Sequence, residues 1–150
     1  MTTRDFPVDW AEMHRHARAL AWKLQPLGPF KGMVAVTRGG MVPACIIARE
    51  LNIKLIETVC ISSYEDKSQR APEVLKMIDG SGEGWLVVDD LADTGSTFAL
   101  IRQHLPKAHY AAIYTKPQGR PLVDSWMLEV SQDTWIHFPW ELDPPEGGTP

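Results

Sequence analysis

Val87-Val88-Asp89-Asp90-Leu91-Ala92-Asp93-Thr94-Gly95-Ser96-Thr97 runs from an apolar segment through adjacent carboxylates into a hydroxyl-rich turn. Residues 85–88 read as a buried strand, and residues 97–104 carry the spacing of a helix. A turn that opens a helix leaves backbone amides without intrahelical partners, and the helix dipole places positive partial charge beside them. With the hydroxyls of Thr94, Ser96 and Thr97, this turn suits a phosphate monoester. Asp89 and Asp90 would repel that phosphate unless sugar hydroxyls and a cation stood between them. Mg²⁺ fits, because it takes one or two carboxylates together with substrate oxygens. Taken apart the pieces are ambiguous: Asp89-Asp90 also fits a solvated turn, and residues 94–97 an ordinary helix cap.

Outward from this run, strand and helix patterns alternate. Asp9-Trp10-Ala11-Glu12 fits a capping box with Asp9 as N-cap. Trp10, Met13, Ala17, Leu20 and Leu24 follow at helical spacing until Pro26, Gly28 and Pro29 stop the helix. Residues 33–37 read as a buried strand before Arg38-Gly39-Gly40, and Pro43 suits the first turn of a helix ending at Leu51. Residues 54–62 read as the next strand, 63–72 as a polar loop, 74–78 as a short strand, and 109–115 as another strand. Gly80-Ser81-Gly82-Glu83-Gly84 superficially resembles a dinucleotide loop, but it precedes a strand instead of joining strand to helix, so it reads as a turn. The alternation predicts one α/β domain, a mainly parallel central sheet flanked by helices on both faces. In such sheets ligands bind at the carboxyl ends of the strands.

Composition narrows the function classes. The 150 residues are 44% hydrophobic and 23% charged, which excludes a disordered or fibrous chain. A net charge of -4 and the lack of Lys/Arg runs argue against a nucleic-acid partner held by bulk positive charge. The polar start Met1-Thr2-Thr3-Arg4-Asp5 does not read as a signal peptide, and no run approaches the roughly 18 apolar residues of a membrane span. No integral membrane contact is expected. Cys45 and Cys60 lie in apolar segments and read as buried reduced thiols, in keeping with a cytoplasmic protein. Six Trp outnumber four Phe and three Tyr. Trp10, Trp22 and Trp85 fall on predicted elements and are expected in the core.

Two other strand ends carry polar groups. At Thr37-Arg38-Gly39-Gly40 the glycines permit close approach of a ligand to the backbone, and the Arg fork suits phosphate oxygens, although the run alone also fits a plain turn. At Tyr114-Thr115-Lys116-Pro117 the lysine alone would read as solvated.

The run at 87–97 is similar to the phosphoribosyl-diphosphate-binding signature of the type I phosphoribosyltransferases: apolar residues, two acids, a third acid, then a Thr/Gly/Ser turn. The segments AVTRGGMVPACIIARELNIK, ETVCISSY, KPQGRPLVD and QDTWI resemble the purine members of that family, and the likeness extends from Asp9 to Trp140. The resemblance implies the type I fold with a small C-terminal base-binding hood, mainly residues 117–142 of a single domain at 1–142; the low-complexity run at 143–150 reads as a flexible tail. It implies transfer of the phosphoribosyl group from phosphoribosyl diphosphate to a 6-oxopurine (guanine, xanthine or hypoxanthine) in purine salvage, with Mg²⁺ as cofactor.

By the same resemblance, residues Leu91, Ala92, Asp93, Thr94, Gly95, Ser96 and Thr97 bind phosphoribosyl diphosphate, those from Asp93 to Thr97 holding its 5′-phosphate, Asp89 holds the ribose hydroxyls, and Asp90 is the metal contact. Arg38 and Gly39, with a non-proline cis peptide nearby, hold pyrophosphate together with Arg70 from the 63–72 loop. Asp93 is the catalytic group at purine N7, Lys116 donates to the base oxygen at position 6, Trp135 stacks on the purine and the Ile136 carbonyl accepts from its 2-position group. A homotetramer and an association with the inner face of the cell membrane are also implied. Two residues depart from the family pattern: Ser96 replaces a glycine, and His137 replaces a glutamate near the purine edge. The alternative from another class is a non-catalytic regulator sensing phosphoribosyl diphosphate or nucleotide, which could dispense with Asp93 and Lys116.

Overall fold

A computed structural model of the protein describes residues 4–62 and 71–141. Arg70 and the tail at 143–150 lie outside the described residues. The elements run β1 (Arg4–Pro7), α1 (Trp10–Leu24), β2 (Gly32–Thr37), α2 (Met41–Leu51), β3 (Ile56–Ser62), β4 (Glu73–Lys76), β5 (Trp85–Ala92), α3 (Ser96–His104), β6 (His109–Thr115), β7 (Ser125–Glu129) and β8 (Thr134–His137).

Six strands form the central sheet in the order β4-β3-β2-β5-β6-β7. All neighbours are parallel except β3 and β4, so the expected α/β architecture is present. The central strands are apolar on both faces, as a doubly covered parallel sheet requires. Met33 and Ala35 of β2 and Leu86 and Val88 of β5 pack with Met13, Ala17 and Leu20 of α1 and Ile47 of α2. The alternate residues Val34, Val36 and Val87 pack on the other face with Phe98 and Ile101 of α3.

Local signals account for the helix ends. Asp9 caps α1, its Oδ1 accepting from the Glu12 backbone N–H at 2.7 Å. Asn52 ends α2 in the left-handed conformation, and its N–H reaches back to the Ala48 and Arg49 carbonyls. These contacts satisfy backbone groups that a helix terminus leaves open.

Several expectations are revised. Strand β5 extends to Ala92 because Asp89, Leu91 and Ala92 continue to pair with β6, so the acids stand within the strand and not beyond it. Trp10 and Trp22 are 55% and 57% exposed, not core. The buried stripe of α1 is Met13, Ala17, Leu20, Ala21 and Leu24, which leaves Trp10 against Trp140 at the helix start and Trp22 under the Arg18 guanidinium. Cys45 is exposed and Cys60 partly buried; both are free thiols. Within 117–142, β7 is the edge strand of the central sheet. The small second sheet pairs β8 with β1 from the other end of the chain, Asp5 opposite Trp135 and Phe6 opposite Ile136. No helix among the described residues is long and apolar enough to cross a membrane.

Removal of an N-cap side chain costs about 1 kcal/mol. Asp9→Ala is therefore expected to lower the urea-unfolding free energy by ~1 kcal/mol while steady-state turnover is unchanged, since Asp9 lies on none of the strand ends that face the crevice.

Candidate active site

The strand order reverses between β2 and β5: the chain builds β3 and β4 on one side and β6 and β7 on the other. A crevice opens at such a switch point, beyond the carboxyl ends of the two strands. From β2, the Thr37–Arg38 peptide is cis and non-proline, as expected, and leads into Gly39. A Cβ placed on Gly39 would lie 2.7 Å from the Asp90 carboxyl carbon and would displace that side chain, while one on Gly40 would meet the Val88 carbonyl oxygen, so Gly40 is where the loop backbone approaches β5 closely. Arg38 is exposed at the crevice edge.

From β5 come the two acids. Asp89 is only 9% exposed, and its Oδ1 accepts from the Asp90 backbone N–H at 2.8 Å. Burial pushes the Asp89 carboxyl well above the ordinary carboxylate range, and the charge of Asp90 adds to the shift. Burial likewise pushes Asp90 up to about 6, against hydrogen bonds that favour its ionised form, and Glu141 contributes further negative field. Among the described residues no Lys, Arg or His forms an ion pair with either acid. A desolvated acidic pair with no cationic side chain is a donor set suited to an external cation. Among the described residues no cluster of three or more metal-ligating side chains occurs, so an ion here would complete its shell from ligand and water oxygens.

Beyond β5 the chain turns into α3 through Gly95, whose φ of 87° is a conformation that favours glycine. In contrast to α1, this helix has no side-chain cap. Thr94 Oγ1 donates to Ser96 Oγ at 3.2 Å and lies 3.4 Å from the Ser96 amide, a long contact that leaves the first-turn N–H groups open. Asp89, Leu91, Ala92, Asp93, Thr94, Gly95, Ser96 and Thr97 line one small cavity here, about 80 Å³ in volume. Open amides, hydroxyls and a helix dipole converge on that cavity.

A second part of the site is built from three separate segments. Lys116, 5% exposed at the end of β6, directs its Nζ to Asp93 Oδ2 at 3.2 Å. Gln132 donates through Nε2 to Asp93 Oδ1 at 2.8 Å. Along β8, Thr134 and Ile136 are buried while Trp135 and His137 are exposed, which puts the last two on one face by strand alternation. His137 Nε2 lies 2.8 Å from Asp5 Oδ1, so the imidazole is engaged by the adjoining strand β1.

All the sequence-predicted site residues except Arg70 are thus described, and they occupy the ends of β2, β5 and β6 and strand β8. Gln132 lies within QDTWI, a run that gives it no role by itself; its contact with Asp93 spans 39 positions, a separation with no local signal. Asp5 sits in a polar terminus, and nothing local in the sequence points to its partner His137.

A parallel sheet with a carboxylate pair and an uncapped helix at its switch point defines a nucleotide-type α/β enzyme site, and residues 9–146 match the phosphoribosyl transferase domain, the family to which this chain belongs. Over 139 residues it is 59% identical to xanthine-guanine phosphoribosyltransferase of Nitratidesulfovibrio vulgaris, covering 92% of this chain and 85% of that one. The enzyme of the same name from Desulfotalea psychrophila is 56% identical over 141 residues, 93% of this chain and 88% of the relative. The crystal structure of a purine phosphoribosyltransferase from Pyrococcus horikoshii superposes with a TM-score of 0.78 at 26% identity, covering 93% and 96% of the two chains.

Because burial raises both carboxyls in the folded state, their ionisation opposes folding. The stability of the protonated form is complete below about pH 4 and is lost as pH rises through the Asp90 value of about 6. Asp90→Asn is therefore expected to stabilise the ligand-free protein at neutral pH by ~1–3 kcal/mol. In urea titrations across pH, this gain should shrink to nothing near pH 4. A gain that persists at low pH would assign the effect to packing.

Proposed function

We propose that this chain is a purine-salvage phosphoribosyltransferase, moving the phosphoribosyl group of phosphoribosyl diphosphate onto a 6-oxopurine. The products are the nucleoside 5′-monophosphate and pyrophosphate, and guanine, xanthine and hypoxanthine are the candidate bases. The observation that carries the reading is the Lys116–Asp93 pair, a buried ammonium 3.2 Å from a carboxylate oxygen beside the phosphate cavity. A donor beside an acceptor is complementary to the O6 acceptor and N7–H donor of an oxopurine edge, whereas adenine presents an amino donor to the lysine. The names of the bacterial relatives support the same activity.

In this reading the amides and hydroxyls of residues 93–97 hold the 5′-phosphate, backbone at Leu91 and Ala92 shapes the floor, and Asp89 accepts from the ribose hydroxyls. Arg38 and the Gly39 backbone face the pyrophosphate. Mg²⁺ bound with the substrate at Asp90 would neutralise pyrophosphate charge. Trp135, 57% exposed, offers its ring to the purine face, a contact worth about 1–3 kcal/mol. The Ile136 carbonyl accepts from the 2-position group. His137 stands on the face of Trp135, so base preference is tuned on this strand. Exposed apolar residues such as Trp22 and Leu75 would be covered in a homotetramer.

Chemistry at the sugar follows from charge. The C1′–O bond to pyrophosphate breaks with its electron pair on the leaving oxygen, and the purine N9 lone pair forms the new C1′–N9 bond. The N7 proton passes to the Asp93 carboxylate, which keeps positive charge from accumulating on the base. Held reactants and fixed dipoles supply the rest of the catalysis. A sensor without catalysis would need neither Asp93 nor Lys116 in this pairing.

Pyrophosphate release, measured with Mg²⁺, phosphoribosyl diphosphate and each base in turn, should appear with oxopurines and not with adenine. Asp93→Asn should lower kcat by about 10²–10³ with the fold intact. Unchanged turnover would remove Asp93 from the mechanism, and no release with any oxopurine would refute the enzyme reading.

A further inference from the structure

Gln132 ties together parts of the site that are remote in sequence. Its Nε2 donates to Asp93 Oδ1 at 2.8 Å and approaches the Asp93 main-chain oxygen at 3.4 Å. Its Oε1 accepts from the Gln118 backbone N–H at 3.0 Å. A backbone N–H can only donate, so this last contact fixes which end of the side-chain amide is oxygen, and the NH₂ group must face Asp93. With Lys116 on Oδ2, both carboxylate oxygens of Asp93 are held, each by a different donor. Asp93 itself is exposed on the loop, so packing does not fix its rotamer. Two donors at defined positions do.

We propose that Gln132 is a positioning residue for the transfer reaction: it fixes the plane of the Asp93 carboxylate so that the acceptor faces the purine N7 edge beside Lys116. The inference rests on the reading of Asp93 as the acceptor of the N7 proton. Lys116 alone would leave the carboxylate free to turn about its contact. Gln132 removes that freedom and, because it leads directly into the strand bearing Trp135 and Ile136, ties the base-stacking surface to the proton acceptor. The Gln118 contact serves as the anchor, since it holds the amide against the turn that follows β6.

The two ends of the amide make different predictions, and Gln132→Glu separates them. Glutamate retains an oxygen acceptor for the Gln118 N–H but loses the donor to Asp93 and sets a like charge against it. If Gln132 positions Asp93, this variant should lose roughly 10–100-fold in kcat. KM for phosphoribosyl diphosphate should stay within about twofold, because Gln132 hydrogen-bonds to Asp93 and Gln118 and not to the hydroxyls and amides of residues 94–97. Gln132→Met, similar in length and without hydrogen bonds, should lose about tenfold in kcat with the same KM split, and carries the test if the glutamate variant does not fold. Asp93→Asn is run alongside. A large loss in Asp93→Asn with near-parental kcat in both Gln132 variants overturns the positioning role and leaves the acceptor role standing. Unchanged turnover in Asp93→Asn overturns the acceptor reading itself. Equal losses in kcat and in phosphoribosyl-diphosphate affinity, with a lowered Tm, would mark Gln132 as a structural cross-link and overturn the proposal.

Discussion

Two adjacent carboxylates near the end of β5, Asp89 buried and Asp90 half-buried, with no cationic side chain paired to them among the described residues, are the constraint around which the site is arranged. Desolvating such a pair costs free energy that the rest of the domain has to offset, and it does so with strands that are apolar on both faces. A protein that keeps an uncompensated acidic pair binds more tightly any ligand that brings the missing positive charge, and the ligand in turn stabilises the fold. The β2 loop belongs to the same constraint: a Cβ on Gly39 would displace the Asp90 carboxylate, and one on Gly40 would meet the Val36 and Val88 carbonyl oxygens.

In the proposed reading, the phosphate end and the base end solve different recognition problems with different parts. At the phosphate end, backbone does the work: Gly95 turns the chain, and α3 begins without a side-chain cap, so its amides face the cavity. Backbone recognition tolerates the serine at position 96, whose hydroxyl adds a donor where the pattern has glycine. At the base end, side chains do the work. Asp93, Lys116 and Gln132 come from the ends of β5 and β6 and from the lead into β8, so the proposed base recognition would depend on correct docking of the small β1–β8 sheet. Asp5 on β1 holds His137, which makes the N-terminal strand a participant in the surface that presents Trp135.

Much of this was legible in one dimension. The run from Val87 to Thr97 reads as strand, acids, turn and helix because each piece has a local cause: apolar continuity, charge, small residues and helical spacing. Asp9 as a cap, the stop at Pro26 and the mainly parallel sheet implied by alternating strands and helices follow in the same way. What could not be read depends on distant partners. Strand β5 runs through its acids because β6 continues to pair with it, although Asp is unfavourable in strands by propensity. The β1–β8 pairing joins the two ends of the described chain, and a short polar strand carries no signal for a partner so remote. Trp10 and Trp22 have the composition of core residues, yet the neighbouring α2 covers only one stripe of α1. Gln132 was visible as part of a motif, but its purpose became readable only when Asp93 and Gln118 stood beside it.

The most direct measurement is a crystal structure of the protein with guanosine 5′-monophosphate. The account predicts the phosphate on the amides of residues 94–97, the base against Trp135, and O6 within hydrogen-bond distance of Lys116 Nζ with N7 facing Asp93. A nucleotide whose phosphate avoids the start of α3, or whose base leaves Lys116 and Asp93 paired only with each other, would contradict it.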